Sequence, residues 1–515
     1  MSSRLLIRPR EYHDSVRLMQ VSERVRRESG AREAILMMAT DNNKKILAAA
    51  GIQDEALGTA RADDLVIAVV ADGEEQAAAA LALAAELLNA RSQSAAGSYR
   101  PRTLEAALAA DRQSNIALIS VPGDYAAAEA RRALNNGLNV MLFSDNVSVE
   151  EELSLKQQAT EQGLLLMGPD CGTAIINGVG LGFANAVARG PVGIVGASGT
   201  GVQEISVLLD RMGVGISQAI GTGGRDLKAE IGGLTMLMAM DMLAADPDTR
   251  LIVLTSKPPA AVVTEKILAR AAELDKPVVV NFLGAEAPED GPVNVQFTAS
   301  LEETAIAAAR HCASERSLPL LSAENIRAFA KAEVAKLAPG QRYVRGLYAG
   351  GTLCYETLLM LSPVLGEVYS NLASDPACQL PELMSSVQHS VVDLGDDAYT
   401  QGRAHPMIDP TLRMQRIARE ADDPEAAVLL LDLVLGFGAH DNPAAELVEA
   451  ITVARAKAAE AGRYLPVIVN LCGTDADSQQ CSEQLSLLRD AEITVAWSNA
   501  EAVRMTLALL GEIHG

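Results

Sequence analysis

Aromatic residues are scarce in this chain. Its 515 residues include one tryptophan, nine tyrosines and six phenylalanines, so aromatics make up 3% while hydrophobic residues make up 49%. The cores must therefore consist of small aliphatic side chains packed between helices and sheets, which is typical of helix-rich α/β layers. A chain of this length exceeds a single core and predicts three or four domains of about 100 to 150 residues each.

Cysteine pairs, excess positive charge and long apolar runs are also lacking. The six cysteines are scattered without a C-x-x-C pair, so we predict reduced, mostly buried thiols and no zinc site. A net charge of −23 repels nucleic acid and anionic lipid, and no run approaches the roughly 18 apolar residues that span a bilayer. We therefore expect neither nucleic acid nor a membrane as a partner. The N-terminal segment lacks the apolar core of a signal peptide, which predicts a soluble, cytoplasmic protein.

Short apolar runs alternate with helical segments along most of the chain. Residues 1–90 predict a small α/β domain, and the polar segment ARSQSAAGSYRPR after it predicts a linker. Two series of βα units follow, over residues 105–310 and 343–515, with a linker at 311–342. Their strands are apolar on both faces, which predicts doubly wound parallel sheets of the Rossmann or flavodoxin-like kind.

The second series repeats features of the first. GTGVQE at residues 199–204 and GTLCYE at residues 351–356 share the pattern G-T-x-x-x-E after a strand, and KPVVVNFLG resembles LPVIVNLCG. We therefore predict an internal duplication of one flavodoxin-like domain, whose two copies could pack as a pseudo-symmetric pair.

A glycine-rich turn in PVGIVGASGTGVQE, residues 191–204, joins a predicted strand to a predicted helix. The free amides and the dipole at such a helix N-terminus suit a phosphate or carboxylate. The turn lacks the Lys and Ser or Thr of a P-loop and the third glycine of a dinucleotide loop, so no nucleotide-binding loop is predicted. A smaller anion is the candidate ligand; alternatively, the glycines only form a tight turn capped by Ser198 or Thr200.

Comparable turns follow neighbouring strands, and the carboxyl ends of parallel strands share one edge of a sheet. We therefore expect these turns to converge on one ligand. The candidate phosphate-binding residues are Ser198, Gly199, Thr200, Gly201, Gly223, Gly224, Gly351, Thr352, Gly436, Gly438 and Ala439.

Three basic side chains in these turns are candidate catalytic residues. Lys257 in TSKPPA could supply a point charge to an acyl phosphate or carboxylate, and the alternative is a solvated surface lysine. His440 in GFGAHDNPA stands at a predicted helix start, with Asp441 or Asn442 as the cap and Pro443 as first helical residue; His405 lies in GRAHPMIDP near Arg403 and Asp409. Both could be structural histidines instead.

Asp170 and Cys171 in MGPDCGT stand in a comparable loop. No base is evident for a thiol nucleophile, so we predict that Cys171 serves packing.

The order of MGPDCGT, GIVGASGTGVQE, GTGGRD, DLGDD and GFGAHDNPA resembles the succinyl-CoA synthetase superfamily, and most closely its FdrA branch, over nearly the whole chain. The resemblance implies a CoA-binding-like Rossmann domain at 105–187, a ligase-type domain at 190–310 and a second ligase-type domain at 343–515. It also implies that the helices beginning at SGTGVQE and GFGAHDNPA jointly hold a transferred phosphoryl group, with His440 in the second.

Departures from that family pattern change the expected chemistry. The segment AEAPEDGPVNVQF contains no histidine where synthetases carry their phosphorylated one, and Ser256 and Lys257 stand where a supporting glutamate is expected. The chain has no room for an ATP-grasp domain, and the small N-terminal domain replaces the expected CoA loop. The sequence establishes no cofactor, and CoA is the candidate that the resemblance supplies.

Three functions are therefore compared. The first is an acyl-CoA synthetase-like enzyme that transfers an acyl group from an acyl phosphate or carboxylic acid. The second, which the FdrA branch implies, is a carbamoyltransferase component of oxamate or ureide catabolism that uses carbamoyl phosphate. The third is a non-catalytic scaffold. The first two imply partner subunits or a homo-oligomer.

Overall fold

Four β-sheets organise the part of the chain that the structure describes. The computed structural model describes residues 2–11, 13, 15–40, 43–44, 47, 52, 54–93, 101–288, 291–382, 384–400 and 404–514. Two sheets have three strands, one has seven and one has six. We call the two larger ones the first and second large sheets. No described helix combines the length and hydropathy that crossing a bilayer requires.

The N-terminal domain is a three-stranded antiparallel sheet covered by helices. Its elements are β1 (Ser2–Arg8), α1 (Ser15–Ser29), β2 (Glu33–Met38), α2 (Glu55–Thr59), β3 (Leu65–Ala71) and α3 (Glu74–Gln93). The strand order is β1-β3-β2, and the central β3 is almost entirely buried. The three strands coincide with the apolar runs of the sequence. Helix α3 extends into the predicted linker, of which residues 94–100 lie outside the described part.

A small parallel sheet follows, in the order β4-β5-β6. Its elements are α4 (Leu104–Ala110), β4 (Ile116–Ile119), α5 (Gly123–Asn135), β5 (Asn139–Leu142), α6 (Val149–Gln162) and β6 (Leu166–Met167). Ser148 caps α6 by accepting the Glu151 amide, and Gly163 ends it in the left-handed conformation that favours glycine.

The first large sheet has the order β13-β12-β11-β9-β10-β7-β8. Its elements are β7 (Thr173–Ile176), β8 (Val179–Gly182), β9 (Arg189–Ala197), α7 (Gly199–Arg211), β10 (Ile216–Gly221), α8 (Leu234–Ala245), β11 (Leu251–Ser256), α9 (Ala261–Ala272), β12 (Val278–Phe282), β13 (Val295–Phe297) and α10 (Leu301–His311). Strands β9 to β13 are parallel as predicted, whereas the hairpin β7–β8 adds an antiparallel edge.

The second large sheet has the order β15-β16-β14-β17-β18-β19, and all its pairings are parallel. Its elements are α11 (Ala323–Val334), β14 (Tyr343–Tyr348), α12 (Gly351–Leu365), β15 (Val368–Tyr369), β16 (His389–Asp393), α13 (Asp397–Thr400), α14 (Thr411–Glu420), β17 (Ala426–Val434), α15 (Pro443–Glu460), β18 (Val467–Cys472), α16 (Cys481–Asp490), β19 (Thr494–Ala496) and α17 (Asn499–His514). A short 3₁₀ turn spans Pro376–Cys378.

The two large sheets share one topology. In each, the first strand (β9 or β14) lies between the second (β10 or β16) and the third (β11 or β17), with the fourth and fifth continuing outward. This is the flavodoxin-like order. It is the arrangement that the predicted duplication requires, with β15 and the β7–β8 hairpin added at the edges.

The two halves pack through helices rather than through their sheets. One continuous apolar cluster includes Leu208 of α7, Leu353 of α12 and Leu509 of α17. Residues 201 to 209 of α7 are all buried, because this helix contacts its own sheet on one side and the second half on the other. The packing brings the carboxyl ends of both large sheets to one central region.

Candidate functional site

A cavity of about 1390 Å³ lies where the carboxyl ends of the two large sheets meet. The N-terminal domain contributes residues of α1 and β2 to its wall, and the small sheet contributes its strand-end loops. Nine of the sequence-predicted residues line it: Ser198, Gly199, Thr200, Gly223, Gly224, Lys257, Gly351, Thr352 and His405. The sequence-predicted turns therefore converge largely as expected from parallel strands.

The turn between β9 and α7 presents a helix N-terminus to this cavity. Ser198 occupies the N-cap position in an extended conformation, but its side chain makes no capping hydrogen bond. The first amides of a helix have no intrahelical acceptor, and the helix dipole adds partial positive charge there. Gly201 does not line the cavity; a Cβ there would lie 2.2 Å from Ser198 Oγ, so a small residue is needed for the turn.

Helix α12 meets α7 N-terminus to N-terminus. The hydroxyls of Ser198 and Thr352 are 2.7 Å apart, and the Thr352 amide donates to Thr200 Oγ1 at 3.3 Å. These contacts join the two G-T-x-x-x-E copies across the pseudo-symmetric interface. The helix opposite α7 is therefore the one that begins at Gly351.

The loop of residues 436–440 is placed differently from the expectation. Gly436, Gly438, Ala439 and His440 do not line the cavity. The Phe437 amide donates to Ala184 O at 2.9 Å, and a Cβ on Gly438 would come within 3.3 Å of the Phe183 ring, which itself lines the cavity. The loop thus lies behind Phe183. Its helix does begin at Pro443, with Asn442 in the cap position.

His440 makes local contacts instead of reaching the cavity. Its amide donates to Met407 O at 2.8 Å, and its Nδ1 accepts the Asn442 amide at 3.1 Å. These contacts fix the loop against the segment that contains His405.

Lys257 follows β11 and extends an exposed side chain along the cavity wall. Its ammonium lies 5.6 Å from the centre of the Tyr355 ring. Among the described residues, no carboxylate oxygen lies within 4 Å of it. The cation is therefore available to a ligand.

His405 is held as a neutral imidazole. Its Nδ1 accepts the Met407 amide at 3.2 Å, so the ring proton is assigned to Nε2. Burial lowers the pKa of His405 to about 4. Its neighbour in the sequence pattern, Arg403, lies outside the described residues.

Asp393 at the end of β16 is a site residue that the sequence analysis did not single out. It is 5% exposed and lines the cavity beside Gly351 and Gly395. Burial raises the pKa of Asp393 to about 7, and the charge of Lys257 partly opposes this. The available signal was an aspartate directly after the apolar pair Val391 and Val392, at a predicted strand end.

The GTGGRD turn is fixed by the small sheet. Lys156 of α6 donates to Asp226 at 2.7 Å and to Thr222 O at 2.9 Å, and all three residues are buried. Asp226 in turn accepts the Thr235 and Met236 amides at the start of α8. Gly223, with φ of 83°, and Gly224 are thereby held at the cavity wall.

Acidic and thiol groups line another part of the wall. Burial raises the pKa of Asp170 to about 7, with Asp145 and Asp397 adding to the shift. Burial also raises the pKa of Cys171 to about 12, which fits a packing role. All six cysteines are free thiols. Within the described residues, no group of three or more His, Cys, Asp or Glu side chains is arranged to hold a metal ion.

Three family models match the chain. The CoA-ligase model matches residues 347–509, the CoA binding domain model matches residues 188–284, and the model of the AllF heavy metal-associated domain matches residues 1–103. Residues 1–103 contain no cysteine and a single histidine, His13, so they do not fit the thiolate ligands that soft metal ions prefer.

Curated relatives fall into two groups. The uncharacterized protein YahF of Escherichia coli (strain K12) is 47% identical over 500 residues, which cover 97% of each chain. The α-subunit of an ADP-forming succinate–CoA ligase of Aquifex aeolicus (strain VF5) is 32% identical over 187 residues, covering 34% of this chain and 58% of that subunit. An α-subunit 1 of Archaeoglobus fulgidus is 28% identical over 36% of this chain and 63% of the subunit. The chain therefore belongs to the YahF-like family of succinyl-CoA synthetase-like proteins.

Proposed function

We propose that the protein is an acyl-group transfer enzyme that binds a small acyl phosphate in the cavity between its two duplicated halves. The observation that carries this proposal is the ammonium of Lys257, which has no carboxylate within 4 Å among the described residues and lines the same cavity as the α7 N-terminus. A cation and free backbone amides together suit a dianionic phosphate.

In the proposed complex the two ends of the ligand have different roles. The phosphate binds the amides of Ser198 to Thr200, Lys257 and the Gly223–Gly224 turn. An acceptor nucleophile attacks the acyl carbon, the bond from that carbon to the phosphate oxygen breaks, and phosphate leaves with the electron pair. Lys257 and the helix dipole stabilise the charge that grows on the leaving oxygen.

CoA is the acceptor that we propose, and the match of the CoA binding domain model to residues 188–284 supports it. The cavity exceeds the usual 300 to 1,000 Å³ of small-molecule pockets. Lys228 lines it in addition to Lys257, whereas Arg32 and Arg225 on the same wall are paired with Asp72 and Glu152. Nucleotide chemistry would fall to partner subunits, because the sequence carries no nucleotide-binding loop.

Carbamoyl phosphate is the second candidate donor. The described part of the segment after β12, where a histidine would be expected, contributes no residue to the cavity wall. Direct transfer from a preformed acyl phosphate is thereby favoured over transfer through a phosphorylated side chain. Carbamoyl phosphate is a small ligand of this kind, and a carbamoyltransferase component would use the same phosphate site.

The test is an assay of the purified protein with acetyl phosphate and carbamoyl phosphate, each with and without CoA. We expect CoA-dependent phosphate release and a matching amount of acyl thioester. Thermal stabilisation by both phosphates but turnover only when candidate partner subunits are added would favour the carbamoyltransferase component. If the protein shows no stabilisation and no turnover under any of these conditions, the remaining candidate function is the non-catalytic scaffold.

A further inference from the structure

The N-terminus of α12 lies beside two acidic side chains, Asp432 and Asp393. Next to α12, the amides of Ala349 and Gly350 donate to Asp432 at 2.9 and 2.7 Å. The Asp393 carboxylate lies against Gly351, where a Cβ would be 2.5 Å from Oδ2. Lys257 lies near this end as well: its ammonium is 5.6 Å from the Tyr355 ring of α12, and its charge partly opposes the raised pKa of Asp393. The phosphate of the proposed function lies at the α7 end, so the α12 end, with a carboxylate on the cavity wall, suits a group that gives up a proton.

Asp393 is held firmly but keeps a free acceptor. Its Oδ1 accepts the Gly395 amide at 2.9 Å, and its backbone amide and carbonyl each bond the Asn371 side chain at 3.0 Å. In the part of the chain that the structure describes, no donor contacts Oδ2. A buried carboxylate with one unbonded oxygen on a cavity wall is poised to accept a proton from a ligand.

From this geometry, and resting on the acyl transfer proposed above, we propose that Asp393 is the general base for the acyl acceptor. A thiol acceptor binds at the α12 end and its proton passes to Asp393 Oδ2. The sulfur–carbon bond forms as the carbon–oxygen bond to phosphate breaks. The proton then leaves Asp393 with the released phosphate or to solvent, which restores the carboxylate.

The protonation behaviour of the site supports this role. Because burial raises the pKa of Asp393 to about 7, the carboxylate is a stronger base than usual and is still ionised in part at neutral pH. His405, with its pKa lowered to about 4, is the weaker base of the two. The charged and titratable groups that face Asp393 are Lys257, Asp396, Asp432, Cys354, Tyr399 and His405.

The experiment compares the pH dependence of kcat/KM for thioester formation in the wild type and in Asp393→Asn. We expect the wild-type value to rise with pH through about 7, because the ionised carboxylate is the active form. In the variant, kcat/KM should be about 10²- to 10⁴-fold lower, and it should rise with pH only near the thiol pKa of about 8.5. Asp375→Asn is the matched control, because Asp375 is exposed and asparagine also caps helices.

Two further measurements keep the outcomes distinct. Asp393→Ala should regain part of the activity when formate is added, whereas a structural role predicts no rescue. Binding of acetyl phosphate should persist in both variants, because the phosphate lies at the α7 end. Acyl transfer by Asp393→Asn at the wild-type rate would overturn the assignment. A wild-type kcat/KM that does not change with pH around 7 would overturn it as well. No transfer by the wild type would instead contradict the proposed function.

Discussion

Two buried glutamates, Glu204 and Glu356, join the halves crosswise. They stand at the same position of the G-T-x-x-x-E copies. Glu204 accepts the Asn499 amide at 2.9 Å, at the start of α17 in the second half. Glu356 accepts the Leu301 amide at 2.7 Å, at the start of α10 in the first half. Each half thus caps a helix of the other, and each carboxyl is buried at the interface.

The stability of the protein should depend on pH through Glu356. Burial raises the pKa of Glu356 from 4.5 to about 7, with Glu204 and Glu302 nearby. Its stabilising contribution is therefore complete below pH 4.5 and is lost as the pH rises through about 7. Glu356→Gln cannot ionise. The free energy of unfolding of the variant, relative to that of the wild type, should therefore rise by about 2 to 3 kcal/mol from pH 5 to pH 8.

Urea unfolding at the two pH values checks this expectation. Glu265→Gln, at an exposed position of α9, serves as the control and should show no such change. An equal difference between wild type and Glu356→Gln at pH 5 and pH 8 would mean that Glu356 titrates as an ordinary carboxyl.

At the scale of elements, the site depends on how closely two helices and two strand ends approach. Helix α12 begins directly against the carboxyl group of Asp393, and the turn at Gly395 lies between Asp393 and His405. A Cβ on Gly395 would come within 2.6 Å of His405 Nε2 and 2.8 Å of Ala349 O. Glycines at positions 351 and 395 make room for the carboxylate of Asp393 and the imidazole of His405.

Gly351→Ala should therefore damage the site more than the fold. Its Cβ would lie 2.5 Å from Asp393 Oδ2, so the carboxylate must move, whereas alanine is a favourable helix residue. We expect the acyl-transfer rate to fall by about tenfold to a hundredfold, as small misplacements do, with little change in Tm. Gly511→Ala in α17 meets open space and is the control. An unchanged rate in Gly351→Ala would place Asp393 outside the reaction.

The elements were largely predictable because the strands of the large sheets are buried on both faces and appear as continuous apolar runs. The hairpin β7–β8 was not predicted, since its two strands have four residues each and carry no periodic signal. Ser198 and Lys257 were predicted as site residues because they follow neighbouring parallel strands. Their cavity position agrees with that expectation, and their roles remain proposals.

The helix opposite α7 could not be chosen from the sequence. Both AGGT and GFGAHDNPA follow strands of the second half, and packing between halves decides which one faces α7. Asp393 was missed for a related reason: it is buried against Gly351, which is distant in the chain, and burial raises its pKa.

At the scale of the whole molecule, the cavity is enclosed by parts of every domain. The N-terminal domain contacts the second half through Arg26 of α1, which lies 3.8 Å from Asp409. The small sheet holds the GTGGRD turn through Lys156, and the two duplicated halves supply the facing helices. The ligand site is thus a product of domain assembly. The two duplicated halves supply two facing helix ends, and the α12 end lies beside Asp393.

The most direct test of this account is the affinity for acetyl phosphate, measured by calorimetry on the wild type, Lys257→Met and Lys266→Met. Lys266 is exposed on α9 outside the cavity wall and provides the matched loss of charge. We predict that Lys257→Met binds about 10 to 100 times more weakly, as expected for one charged hydrogen bond, while Lys266→Met binds like the wild type. Equal affinity in all three proteins would contradict a phosphate site at the α7 N-terminus.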